Sequence, residues 1–301
     1  MAEFVLGCVQ LGLAYGAANR TGKPSAEATS ALLSRALAAG IRVFDAARAY
    51  GDAEARLGDI LANSPATIIT KLAPLAELNE SSAPDEAVAA AERSVRTSLE
   101  TLRRPHLDVL LLHRAAHRTA FGGAIWKRLL AYQKEGVIGR LGVSVQTPGE
   151  ARDALGDGTV GHIQLPFNLL DWRWTNILGR FDHRPDVTLH VRSIFLQGLL
   201  AAGNPAFWPP IAGVDAQAVT AELSAAAQAL ERESPADLCL AFVRGHRQIH
   251  GVVIGLETVA QLERNLSLFA KPALTPEQCA ALAARLPRLP EQLLNPALWP
   301  K

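Results

Sequence analysis

The chain has little cysteine. Three occur in 301 residues, Cys8, Cys239 and Cys279, widely spaced and odd in number. That offers no disulfide framework and suits a reducing compartment. An excess of one charge is missing too, since 30 Lys and Arg face 29 Asp and Glu for a net +1. With no basic run, neither nucleic acid nor an anionic membrane surface is an expected partner. No apolar run approaches the length of a membrane span. The first residues carry Glu3 where a signal peptide would be basic, and Gly7, Gly12 and Gly16 break their apolar character, so none is expected. A soluble, cytoplasmic protein is the expectation. The chain also lacks any linker-like shift in composition, and 49% hydrophobic residues suffice for one large core. One domain is expected over 1–286. A Pro-rich tail, 287–301, either hangs loose or folds over the rest.

What is present is alternation. Apolar strand-like runs recur within Phe4–Leu13, read as a strand and its turn, and at Ile41–Asp45, Thr67–Lys71, Leu107–His113, Ile138–Ser144, His162–Phe167, Val187–Ser193 and Gly251–Gly255. Helical patterns separate them: one capped by Ser25 and ended by Gly40, a long one opened by Pro84 and closed by Pro105, and others over Asp52–Ala62, Ile125–Glu135 and Pro148–Leu155. Further helices are marked by Val219 to Leu230, by Ser234-Pro235, and by Val259, Leu262, Leu266 and Phe269. The segment Gly203–Gly213, with three prolines, reads as an inserted loop. Eight strand-then-helix units predict an α/β fold with a parallel sheet, either a (β/α)8 TIM barrel or an open doubly wound sheet. The barrel is preferred because reactive residues end successive strands, as they do at a barrel's carboxyl rim.

Those residues are Asp45, with Tyr50 in the loop beyond it, then Lys71 and His113. A tyrosine phenol ordinarily titrates near about 10, and an ammonium within a few ångström lowers that value. A carboxylate beside the lysine keeps it charged and aimed. Tyr50 as general acid or base, Lys71 as its tuner, Asp45 as the lysine's anchor and His113 as donor to a carbonyl oxygen form a proton-delivery device. It has no electrons of its own, so a redox reaction would need a cofactor.

The motif Phe44-Asp45-x-Ala47-x-x-Tyr50-Gly51, then Thr70-Lys71, then Leu111-Leu112-His113-Arg114, resembles the aldo-keto reductases over Leu6 to about Phe269. The resemblance implies a (β/α)8 barrel, NADP(H) or NAD(H) as cofactor, and hydride transfer between nicotinamide and an aldehyde, ketone, sugar or alcohol. It places Asp45, Tyr50, Lys71 and His113 in the family's catalytic tetrad. On the cofactor side, Gly142-Val143-Ser144-Val145 is similar to the family's Gly-x-Ser-Asn, with Ser144 kept, and Gln164 matches its glutamine. Arg192-Ser193, in the stretch running to Gln197 and Gly198, stands where the family has an aromatic residue and Ser. Gly255 to Asn265 resembles the adenosine-phosphate segment, with Gln261 and Asn265 kept. NADP(H) is the family default. Glu257 and Gln261 here replace basic partners of a 2′-phosphate, which leaves NAD(H) open, because a carboxylate repels a phosphate and accepts from a ribose hydroxyl.

Plainer readings stand beside these. Taken singly, Asp45 could be a helix cap, Lys71 a solvated rim charge and His113 a hydrogen-bonded strand end. Their joint placement is what raises a functional reading. His246 and His250 share i,i+4 spacing, but Arg247 stands where a zinc-protease acid would be, so no metal site is expected. Gly156 to Gly161 satisfies G-x-G-x-x-G, yet it follows a helix and precedes a strand, the wrong order for a pyrophosphate turn. Trp172, Trp174, Phe207 and Trp208 are expected either to line a pocket or to pack the rim. Two other functions remain at this point: a regulatory subunit that holds cofactor with little turnover, and a barrel enzyme using Lys71 as a Schiff-base nucleophile.

Overall fold

Eight short strands carry the fold: β1 (Glu3–Gly7), β2 (Val43–Asp45), β3 (Thr67–Lys71), β4 (Leu107–Leu112), β5 (Ile138–Ser144), β6 (His162–Pro166), β7 (Thr188–Arg192) and β8 (Gly251–Gly255). In this computed structural model, which describes residues 2–300, every strand pairs in parallel with the next. β8 returns to β1 with Glu3 opposite Gly251, and the sheet is a closed barrel. The open doubly wound alternative is thereby set aside.

Local chemistry starts and stops the helices. Ser25 accepts from the Ala28 amide and caps Ala26–Ala38, while Gly40, at φ 91°, turns the chain back toward the sheet. Thr147 with Glu150, Thr258 with Gln261 and Thr275 with Gln278 each form a reciprocal capping box. Pro84 opens the helix Pro84–Leu102, but that helix ends at Arg103 in the left-handed conformation (φ 54°), two residues before Pro105. Its buried face is made of Ala87, Ala90, Ala91, Ser94, Val95, Ser98 and Leu102, most of them small. These small side chains let the helix Ala53–Leu61 approach so closely that a Cβ on Gly58 would lie 2.2 Å from the Thr101 carbonyl.

Strand pleating decides what fills the barrel. Alternate residues face inward, so Val43 lies below Asp45, Ile69 below Lys71, and Val109 and Leu111 below His113. Val5, Val43, Ile69, Val109, Leu111 and Val253 form an apolar cluster of their own, separate from the large core between sheet and helices. The same alternation on β6 and β7 gives a polar wall of His162, Gln164 and His190, all buried. One side of the barrel interior is aliphatic and the other can hydrogen bond.

Several sequence-based expectations move. β2 begins at Val43 instead of Ile41, and β4 ends at Leu112, so His113 sits just past its strand. β6 stops at Pro166 and β7 spans Thr188–Arg192. The first segment is a five-residue strand followed by a short helix, Val9–Gly12. The helix Pro276–Arg285 had no predicted counterpart. Gly203–Gly213 is a loop with one 3-10 turn, Pro205–Phe207. The tail contains a short helix, Glu291–Leu294, whose Leu293 and Leu294 are buried. Trp172 Nε1 donates to Leu289 O at 3.0 Å and Arg173 to Leu294 O at 3.3 Å. Among the described residues no helix is long and apolar enough to cross a membrane.

Candidate active site

The carboxyl ends of the strands open into one cavity of about 1110 Å³. At its deep end lie Asp45, Tyr50 and His113, and Lys71 sits directly behind them. Lys71 is 1% exposed. Its ammonium donates to Asp45 Oδ1 at 2.7 Å, Asp45 Oδ2 at 2.9 Å and Ala46 O at 2.9 Å, so each of its three hydrogens has an acceptor. Burial works to strip the proton from Lys71, but the Asp45 carboxylate outweighs it and the lysine pKa lies above its ordinary value. Gln164 Nε2 donates to Asp45 Oδ2 at 2.7 Å, which fixes the carboxylate from the barrel's polar wall.

Tyr50 reaches this point on the segment between β2 and the helix Ala53–Leu61. Strand β3 holds that segment: Ala46 N donates to Ile69 O and Arg48 N to Lys71 O. Glycine is required beneath it, because a Cβ on Gly12 would lie 1.8 Å from the Tyr50 carbonyl oxygen. Gly51, at φ 56°, makes the matching approach to Gly12. The Lys71 ammonium stands 5.0 Å from the centre of the Tyr50 ring, and His113 meets that ring edge-on at 6.0 Å. Burial, helped by the charges on Lys71 and Arg192, pushes the His113 pKa down to about 4. Its imidazole is therefore neutral near pH 7. Its Nδ1 is buried and unpartnered, while the ring lines the cavity.

The sequence-predicted cofactor residues fall in the same cavity. Ser144, Arg192, Ser193, Gln197, Gly255, Glu257, Gln261 and Asn265 all line it, and Gln164 closes its floor through Asp45. Arg192 donates to Gln146 Oε1 at 2.8 Å and Val145 O at 3.3 Å. Ser193, Leu196 and Gln197 all have positive φ, strain concentrated on the turn after β7. Gln261 spends its side-chain oxygen on the Glu257 and Thr258 amides, as a helix cap. Asn265 donates back to Gln261 O at 2.8 Å. Arg264 forms an ion pair with Glu233 and does not stand free.

Three groups of lining residues escaped the sequence reading. Tyr15 and Asn19 come from the β1 loop, Phe195 from the turn after β7, and Asn295 to Ala297 from the tail. Asn295 Oδ1 accepts from Gln146 Nε2 at 3.0 Å, which ties the tail to the rim. Loops carry no periodicity, so only the nearby glycines Gly12 and Gly16 hinted that the β1 turn runs close to something. Trp172, Trp174, Phe207 and Trp208 are not among the lining residues, and Trp174 is fully buried against Asp171. They pack the rim. His246 and His250 are each committed to backbone, at Phe242 O and Leu189 N.

Comparison with known proteins bears on the family and the fold. The sequence model of the aldo/keto reductase family matches residues 4–286. The chain belongs to the aldo/keto reductase family. An aldo-keto reductase of Bacillus halodurans in its holo form shares the fold at TM-score 0.75 and 19% identity, over 95% of this chain and 93% of that one. The apo form of the same enzyme matches at TM-score 0.68 and 19% identity, over 86% and 87%. A Pseudomonas aeruginosa protein assigned to the aldo-keto reductases gives 0.64 and 19%, over 89% of each chain. No curated protein sequence matches at a significant level. As an aldo/keto reductase the chain is an oxidoreductase by family, and its barrel is the family's.

Proposed function

We propose that this aldo/keto reductase interconverts a small carbonyl compound and its alcohol with a nicotinamide cofactor, Tyr50 being the proton donor and acceptor. The observation that carries the reading is the Lys71 ammonium, buried with Asp45 and 5.0 Å from the Tyr50 ring, at the floor of a cavity it does not itself enter. In reduction, the Tyr50 hydroxyl gives its proton to the carbonyl oxygen. The Lys71 charge stabilises the phenolate left behind, and the neutral His113 donates a hydrogen bond to the same oxygen. In oxidation the phenolate takes the proton back.

The residues fit a nicotinamide dinucleotide. Pockets for small ligands and cofactors run about 300–1,000 Å³, and this one extends without a break from Tyr50 to Asn265. Gln164 Oε1 is buried without a partner beside Ser144, an acceptor suited to a carboxamide N–H. Ser144 and Gln164 would hold the nicotinamide amide, Ser193 to Gln197 the middle of the molecule, and Gly255 to Asn265 the adenosine. When bound, the cofactor supplies or receives the hydride. At the adenosine end Glu257 lines the wall, Gln261 is occupied as a cap, and the nearest cation, Arg264, is neutralised by Glu233. That set of groups suits the 2′-hydroxyl of NAD(H) better than the 2′-phosphate of NADP(H).

A Schiff-base role for Lys71 is poorly served, since a nucleophilic amine needs a free electron pair and this one is a fully donated ammonium. The test is turnover of an aldehyde and ketone panel with NADH and NADPH, followed at the reduced-nicotinamide absorbance. Tyr50→Phe should lower kcat by about three orders of magnitude while cofactor still binds. An unimpaired Tyr50→Phe, or a wild-type protein that binds neither nucleotide, overturns the proposal.

A further inference from the structure

Resting on that reading of Tyr50, we propose that Glu54 and Arg48 form a positioning pair that fixes the tyrosine-bearing segment against the barrel. Glu54 is a carboxylate only 1% exposed, on the inward face of the helix Ala53–Leu61. It has no contact with the cavity and no part in the proton chemistry, so its burial needs a separate cause. Its Oε1 accepts from Thr70 Oγ1 at 2.6 Å and Ser98 Oγ at 2.8 Å, which roots it in β3 and the helix Pro84–Leu102. Its Oε2 pairs with the Arg48 guanidinium.

Arg48 lies two residues before Tyr50, on the short segment that crosses the rim. Its amide is bonded to Lys71 O at 3.2 Å, and Thr70, which holds Glu54, is the neighbour of Lys71. One carboxylate thus grips the segment that carries the phenol and the strand that carries the ammonium. A buried ion pair is weak evidence for stability, because desolvation offsets much of its attraction. What this one adds is a fixed relation between Tyr50 and Lys71, and misplacing a reacting group by about 1 Å can cost on the order of a hundredfold in rate.

The measurement uses Glu54→Gln, Arg48→Met and their double variant, assayed well below their melting temperatures and normalised to cofactor-binding sites. Glu54→Gln can still accept from Thr70 and Ser98 but loses the charge pair. The expected result is a fall in kcat of about tenfold to a hundredfold, with the carbonyl KM and the cofactor Kd within about threefold of wild type. The solvent deuterium isotope effect on kcat should rise, because delivery of the proton becomes limiting. The double variant should be no slower than the slower single one, since both remove one interaction. Arg48→Lys, at a partly exposed site that tolerates change, should recover part of the rate, and it stands alone as the test if Glu54→Gln does not fold.

Wild-type kcat in Glu54→Gln, losses that add in the double variant, or an unchanged isotope effect overturns the pairing and leaves the function intact. A wild-type protein that reduces no carbonyl overturns the function beneath it.

Discussion

The two ends of the cavity are built on different terms. At the proposed catalytic end Asp45, Lys71 and Gln164 are almost completely buried, and each is held by at least one other member of the group. At the end proposed for the adenosine, Glu257, Gln261 and Asn265 are only half-buried and Arg264 is exposed on a helix surface, its charge shared with Glu233. The difference teaches where this chain can vary. A buried lysine that satisfies three acceptors leaves no room for a substitute, whereas a rim charge in water exchanges partners at a cost of about 1 kcal/mol or less. On the proposed reading, the chemistry is locked into the barrel and cofactor choice is written on its edge.

The sharpest way to break that contrast is Lys71→Met. It leaves the Asp45 carboxylate buried without its cation, a change of about 3–5 kcal/mol in stability. It also removes the charge that stabilises a Tyr50 phenolate. We expect kcat to drop by two to four orders of magnitude and the urea midpoint to fall, measured by turnover and by denaturation. A variant with near-wild-type rate and midpoint would mean that the pair is neither catalytic nor tightly coupled.

The same contrast explains how much was legible in the sequence. Asp45, Lys71 and His113 close near-continuous apolar runs, and once these are read as strands, pleating puts the three on one barrel face above Val43, Ile69 and Leu111. Local sequence was enough for them. Tyr15, Phe195 and Asn295 reach the cavity from loops and from the tail, positions set by tertiary contacts such as Gln146 with Asn295, and no local pattern encodes those. The role of Glu54 was hidden for a similar reason. On the helix it reads as an ordinary polar residue, and only folding brings Thr70, Ser98 and Arg48 around it. The pairing of Arg264 with Glu233 was equally hidden, since the two residues are distant in sequence and only the fold brings them together.

A smaller effect should separate the barrel's polar wall from its aliphatic one. His190 and His162 lie edge-to-face with ring centres 4.4 Å apart, both inside the barrel. Burial lowers the His190 pKa to about 4 and takes His162 well below its usual value. Below about pH 6.5 the unfolded chain binds protons that the folded one refuses, so stability rises with pH between 4 and 6.5 and is lost on acidification. For His190 alone the loss by pH 4 is about 3 kcal/mol. His190→Leu should flatten the fall in urea midpoint between pH 7 and pH 5 relative to wild type. Parallel curves for the two proteins would show that the imidazole titrates as if in water.

The smallest expected effect lies at the rim. Glu257 sits in the cavity wall where a 2′-phosphate would bring two more negative charges, and Arg264 is already paired. Glu257→Arg removes a repulsion and supplies a bidentate donor, and charge-assisted bonds of this type are about twice as strong as neutral ones. A gain of about 1.4 kcal/mol corresponds to tenfold in affinity. The ratio of the Kd values for NADH and NADPH, read from quenching of intrinsic fluorescence, should therefore shift toward NADPH by about tenfold. The kcat with NADH should stay within about threefold of wild type, because the substitution lies far from Tyr50. An unmoved ratio would place the adenosine somewhere other than the Gly255–Asn265 wall. A shifted ratio accompanied by a collapse of kcat would show that the two ends of the cavity are mechanically coupled, and the division between a fixed chemistry and an adjustable edge would fail.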